Sequence, residues 1–336
     1  MIGLNPTNSG ATVDELLSHL QTEMNVQDPL SSHADLSPDA AQMKGSAEIL
    51  ISAGDFGLAR NILRSMVQSG VLVGWALRNL GKTYEQDQKT DLARRCYQDS
   101  IAYEPHLEAY RFLASLEIRS ENHQAAADSL ERALRLEALP AKLRFELHKA
   151  AGNCWLRIQK NDRAEGHYRK ALQIDPTSDD IASNLGALYL QSGRIKDASR
   201  AFEDALVANP RNSKALAGLG SACLAENRKR EAHDHFARSL EIQLQQPTII
   251  FHLVKCAYEI KSYATAARLL AAYVEIAPVN ANLLYSLSGL QFHLGRIDEA
   301  HSTVSRILKL QPNHSGAGEL FKLIQRYQNP ATGKSR

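Results

Sequence analysis

Small, apolar and polar positions recur along this chain with one long period. Alanines stand at 59, 93, 126, 164, 198, 232, 266 and 300, at steps of 34, 33, 38, 34, 34, 34 and 34 residues. Between them, apolar residues fall at three- and four-residue spacings broken once per period. That pattern predicts a pair of amphipathic helices in each unit. A self-similar period of this length describes units that bury their apolar faces only by stacking on their neighbours.

With the alanine set as position 20, units begin at 40, 74, 107, 145, 179, 213, 247 and 281. The clearest runs from 179 to 212. Its first helix carries Leu185, Gly186 and Tyr189, and a turn follows at Gly193. Its second helix carries Ala198, Phe202, Ala205 and Leu206, and Pro210 stops it. Ala at position 20 suits a helix crossing, where a larger side chain would force the helices apart. Position 8 is small for the same reason: Ala47, Gly81, Ala114, Gly152, Gly186, Gly220 and Ser288, with Val254 the exception. Position 24 supplies a bulky knob: Leu63, Tyr97, Leu130, Tyr168, Phe202, Phe236, Leu270 and Val304. Gly54, Gly193 and Gly295 mark the turn inside a unit, where a left-handed residue ends a helix. Pro105, Pro176, Pro210, Pro278 and Pro312 end second helices, because proline cannot continue the ladder.

These residues together resemble the tetratricopeptide repeat, over 40–314. The resemblance implies an all-α, right-handed superhelix of about eight helical hairpins. Residues 315–328, with Leu320, Leu323, Ile324 and Tyr327 at helical spacing, are expected to form a capping helix. The unit from 107 lacks its terminal proline and is followed by ALPAKLR, which predicts a longer helix or loop near 137–144. Residues 1–39 lie outside the array. Thr12 to Glu15 forms a capping box, and Val13, Leu16, Leu17, Leu20 and Met24 share a helical face, so a short amphipathic helix is expected at 12–24 in a flexible tether. The tail 329–336 is expected to be disordered.

Composition narrows the function. The net charge of +2 carries no global pull toward nucleic acid or membrane. Cys96, Cys154, Cys223 and Cys256 have no ligand spacing and read as buried, reduced thiols. The first residues lack a signal peptide, and no run of 18 apolar residues occurs, so a cytoplasmic protein without membrane insertion is expected. No phosphate-loop, zinc-protease, dinucleotide or nucleophile-elbow motif is present, and no catalytic residue, cofactor or metal is expected. His233 and His235 fall on different helix faces. Arg228, Lys229 and Arg230 read as a solvated basic turn.

In the repeat family the first helix of each unit lines a concave groove at positions 2, 5, 9 and 12. Carried over, this rule gives Lys44, Arg78, Lys82, Arg111 and Lys149 in the N-terminal half, beside Glu48, Glu85 and Glu108. It gives Phe251, Tyr258, Tyr285 and Phe292 in the C-terminal half; core packing is the alternative role, above all for Tyr258, and exposure is expected for Phe251, Tyr285 and Phe292. Lys149, Asn153, Asn184 and Lys214 match the spacing of the carboxylate clamp of co-chaperone repeat domains, with Gly218 where the clamp has an arginine. Ordinary groove lining is the other reading of these four. The resemblance therefore implies a non-catalytic scaffold or adaptor that binds a peptide or helix of a protein partner, and self-association through the N-terminal segment is the further expectation. The alternatives are a recognition or assembly subunit of an enzyme or secretion complex, or a co-chaperone with a partial clamp. RNA reading is disfavoured because basic and aromatic positions are segregated.

Overall fold

The computed structural model describes residues 37–278 and 280–328. The expected helix at 12–24 and the tail 329–336 lie outside the described residues. Among those described there are seventeen helices and no strand. They fall into two compact units, residues 37–176 and 177–328.

In the first unit, hairpin one pairs Pro38–Ser52 with Phe56–Gln68, and hairpin two pairs Val73–Gln86 with Thr90–Tyr103. Hairpin three pairs Leu107–Arg119 with His123–Ala133, and hairpin four pairs Ala141–Arg157 with Asn161–Ile174. In the second unit, hairpin five pairs Asp179–Gln191 with Ile195–Ala208, and hairpin six pairs Ser213–Ala225 with Lys229–Ile242. Hairpin seven pairs Pro247–Ile260 with Ala264–Ile276, hairpin eight pairs Ala281–His293 with Ile297–Leu310, and Ser315–Gln328 closes the unit.

Local chemistry fixes the ends. Ser37, Asp55, Ser178 and Asn212 each accept a first-turn backbone N–H through the side chain. Each of the five noted prolines stands two residues beyond the end of a second helix. The turn between the helices is left-handed in all eight hairpins, but glycine fills it only at 54, 193 and 295. Gln88, Glu121, Gln159, Asn227 and Lys261 adopt φ near 60° in the others. An L residue there costs roughly 1 kcal/mol, which two anchored helices can impose.

The packing gives position 8 a sharper reason than helix crossing. A Cβ built on Gly152, Gly186 or Gly220 would stand 2.6, 2.7 or 2.5 Å from the ring of Tyr168, Phe202 or Phe236, and Gly81 meets Tyr97 in the same way. The glycine makes room for the ring at position 24 of its own hairpin. Where position 24 is Leu63, Leu130, Leu270 or Val304, position 8 is Ala47, Ala114, Val254 or Ser288. Helix contact follows this choice: it is most extensive in the four glycine hairpins, smaller with Ala47, Ala114 or Ser288, and least with Val254. All eight position-20 alanines are completely buried.

One boundary and one buried face need correction. The insertion after hairpin three becomes a turn through Ala138 and an early start of the next helix, at Ala141, so the unit start drawn at 145 falls inside a helix. In the cap helix Ala317 and Ile324 are buried, whereas Leu323 and Tyr327 are exposed. The buried stripe runs one position later than the leucines suggest, with Leu320 and Phe321 partly covered. Cys96 is half-buried, unlike the other three cysteines, and all four are free thiols. Burial pushes the Cys96 thiol up to about 11 and that of Cys154 to about 12.

Candidate functional site

In the unit 37–176 part of the expected basic face is engaged from within. Arg78 is buried, with its guanidinium 3.4 Å from Glu108 of the next hairpin, so it does not offer a free cation to a ligand. Lys44 lies 3.9 Å from Glu48 and over the Trp75 ring. The Lys82 ammonium sits 4.4 Å from the Phe112 ring centre. Burial, with Arg78 adding to it against the pull of Glu108, holds Lys82 below the usual lysine range. Glu85 takes both Arg119 and the Tyr97 hydroxyl. Arg111 and Lys149 are half-buried. Arg78 and Arg119 each meet an acid about one repeat away, a pairing that position numbers within a unit do not display. The basic turn is paired too: Arg228 meets Glu226 and Glu231, and Lys229 lies 3.0 Å from Glu259.

The clamp-like set divides between the two units. Asn153 is buried, and its side-chain oxygen accepts the Tyr168 hydroxyl at 2.7 Å. Asn184 is buried as well, while Lys214 is exposed. Both asparagines are thus part of the packed interior rather than of an open surface. At Gly218 the Phe202 ring occupies the space that any side chain would need. An arginine there would displace a core ring.

The unit 177–328 offers a different first-helix face. Phe251 is 63% exposed, Tyr285 38% and Tyr258 36%. The tyrosines rest in notches: Tyr258 lies over Gly289 and donates to the Ser286 carbonyl at 3.4 Å, and Tyr285 lies over Gly316 beside His314. In each case the glycine is thirty-one residues further on, and the same offset from Phe251 leads to Asn282. With no notch to enter, the Phe251 ring stands in solvent. Burial, with Tyr285 and Tyr263 adding to it, pushes the Tyr258 phenol up to about 12. Phe292 departs from the expected exposure. It is half-buried, with Tyr327 of the cap helix edge-on at 5.3 Å. Position numbers in the first helices missed Tyr263, His293 and Tyr327. Tyr263 and His293 stack at 4.7 Å, and Tyr258 meets both edge-on. Tyr263 lies in a turn and Tyr327 in the cap, outside the rule that found the others.

Among the described residues no cluster of three or more His, Cys, Asp or Glu could hold a metal ion, and no helix is long and apolar enough to cross a membrane. His233 is buried and His235 half-buried on their shared helix.

Comparison with known proteins agrees with the hairpin stack. The chain is 26% identical over 200 residues to BBSome complex member BBS4 of Bos taurus, covering 59% of this chain and 37% of that protein. It is 24% identical over 270 residues to the protein O-mannosyl-transferase TMTC3 of Homo sapiens, covering 75% of this chain and 26% of that protein. The chain thus spans well under half the length of these relatives. A solved tetratricopeptide repeat protein from Parabacteroides merdae superposes with a TM-score of 0.50 at 15% identity, over 75% of this chain and 98% of that one. Two family models described as tetratricopeptide repeat match residues 78–141, 113–179 and 184–247, and residues 159–208 and 257–320. With more than half of its length matched and its helices paired at the same period, the chain belongs to the tetratricopeptide repeat family.

Proposed function

We propose that this chain is a non-catalytic adaptor that holds a peptide or helix of a protein partner on the first-helix face of its C-terminal unit. The family's role as a protein-interaction scaffold is the frame, and the exposure of Phe251 carries the choice of site. A large ring in water on a face that also presents Tyr258 and Tyr285 supports an apolar anchor point, since clustered exposed rings mark binding surfaces. The N-terminal face is less suited, because Arg78 is buried against Glu108 and Lys82 is drawn over the Phe112 ring. The free thiols support a reducing, cytoplasmic setting. A second reading, a recognition or assembly arm of a larger complex or enzyme, is favoured by the similarity to a BBSome member and to an O-mannosyl-transferase. Selection from a displayed random-peptide library tests the site. Wild-type protein should enrich sequences with a shared apolar anchor, and Phe251→Ala should lose them. Enrichment unchanged by Phe251→Ala contradicts the assignment.

A further inference from the structure

We propose that the Phe251 face takes an acidic segment of a protein partner, one that places an aspartate or glutamate beside the large apolar residue that covers Phe251. The inference rests on the reading of that face as a binding site and names the chemistry of its occupant. Phe251, Lys255 and Tyr258 are all exposed and follow one another at spacings of four and three on the helix Pro247–Ile260, so they form one stripe. Tyr258 joins this stripe to the next first helix, where its hydroxyl meets the Ser286 carbonyl and its ring covers Gly289. Tyr285 continues the exposed surface on that helix.

Charge selects the occupant. The first helices of hairpins six, seven and eight carry three formal charges, Lys214, Lys255 and Glu259. Glu259 stands one turn beyond Lys255 and would be its natural partner, yet Lys229 of hairpin six takes its carboxylate at 3.0 Å. Among the described residues Lys255 has no acid within ion-pair distance. The face thus presents a ring and an uncompensated cation side by side, and the one carboxylate of these three helices is already engaged. Hairpin five differs: its first helix opens on Asp179 and Asp180, so the cationic stretch is confined to hairpins six to eight.

Geometry narrows the motif. Four residues of helix advance about 6 Å, which two residues of extended chain also cover. A partner therefore meets both groups with an acid two residues from its apolar anchor when extended, or one turn from it when helical. An anionic membrane surface fits less well, because clusters of several Lys and Arg draw proteins to it and these three helices carry two lysines between them.

Fluorescence anisotropy with two labelled peptide pools and the full chain tests the class. Both pools have a fixed phenylalanine anchor in random neutral flanks, and they differ in carrying glutamate or lysine two and four residues from that anchor. Wild type should bind the glutamate pool about fivefold more tightly than the lysine pool, the scale of an exposed charge contact, and added salt should narrow the gap. Lys255→Glu should reverse the preference. Lys309→Glu changes the net charge equally at an exposed position of a second helix, and should keep it. Phe251→Ala should weaken binding of both pools. If circular dichroism shows that Lys255→Glu is misfolded, Lys255→Gln replaces it and should erase the preference. A preference that survives the change at Lys255 overturns the proposal, as does a wild type that binds the two pools equally or favours lysine. Lys255-dependent binding to phosphatidylserine vesicles, with no preference between the pools, also overturns it and gives the face to a membrane. If Phe251→Ala still weakens the pools in these cases, the binding site stands and only the acidic partner is rejected. Pools that bind wild type and Phe251→Ala alike, or bind neither, reject the site as well.

Discussion

Hairpins five and seven belong to the same unit and follow the same plan, yet they pack to different depths. In hairpin five Gly186 lies under the Phe202 ring, and the two helices meet along most of their length. In hairpin seven position 8 is Val254 and position 24 is Leu270, and its two helices have the least contact of any of the eight hairpins. The looser pair also borders a cavity of about 400 Å³, lined by Arg268, Ala271, Leu287, Gln291 and Arg296 among others. Hairpin seven also carries the most exposed ring of its first-helix face, Phe251. The difference teaches that one side chain at position 8 sets how closely a hairpin closes. A glycine there serves a ring, and a valine holds the helices apart.

The largest effect is expected from filling the glycine notch. Gly186→Val puts methyl groups where the Phe202 ring sits, and overpacking of this kind costs about 3 kcal/mol. Denaturant unfolding checks it, and a loss under about 1 kcal/mol would break the comparison. Next, Phe251→Ala should weaken partner binding by about 2 kcal/mol and leave unfolding unchanged within about 0.5 kcal/mol. Phe292→Ala should do the reverse, because its ring is half-buried against Tyr327. Calorimetry of binding and of melting separates the two.

A smaller effect tests the pairing rule itself. Val254→Gly alone and Leu270→Phe alone should each destabilise hairpin seven, the first through a void and the second through overpacking. Together they rebuild the glycine–ring pair, so the double-mutant cycle should show a favourable coupling of about 1 kcal/mol or more. Simple additivity would mean that the pair is not the unit of design. The smallest change concerns the turns. Lys261→Gly relieves a left-handed lysine and should stabilise by about 0.5–1 kcal/mol, while Gly193→Ala should destabilise by a similar amount.

Much of this architecture was legible in the sequence because it depends on contacts within one period. The alanines at position 20, the stop prolines and the pairing of position 24 with position 8 all act inside their own hairpin. What was not legible depends on contact between periods. Arg78 reads as a groove cation until Glu108, thirty residues on, is seen beside it. Gly218 reads as a missing clamp arginine until the Phe202 ring from the preceding hairpin is seen to fill its place. Phe292 shares position 12 with Tyr258, yet the cap helix brings Tyr327 against it. Phe251 and Tyr285 share position 5 and differ because Gly316 offers a notch where Asn282 does not. For the proposed site, the sequence pointed to the first-helix face of the C-terminal unit but did not rank the exposure of the rings on it.

Native-state hydrogen exchange, resolved hairpin by hairpin, tests most directly whether position 8 governs closure. Exchange reads the free energy of local opening. Pro247–Ile276 should exchange faster than Ser213–Ile242 on one side and faster than Ala281–Leu310 on the other, with Asp179–Ala208 among the slowest. A smooth rise in exchange toward the C-terminus, with hairpin eight faster than hairpin seven, would contradict the account.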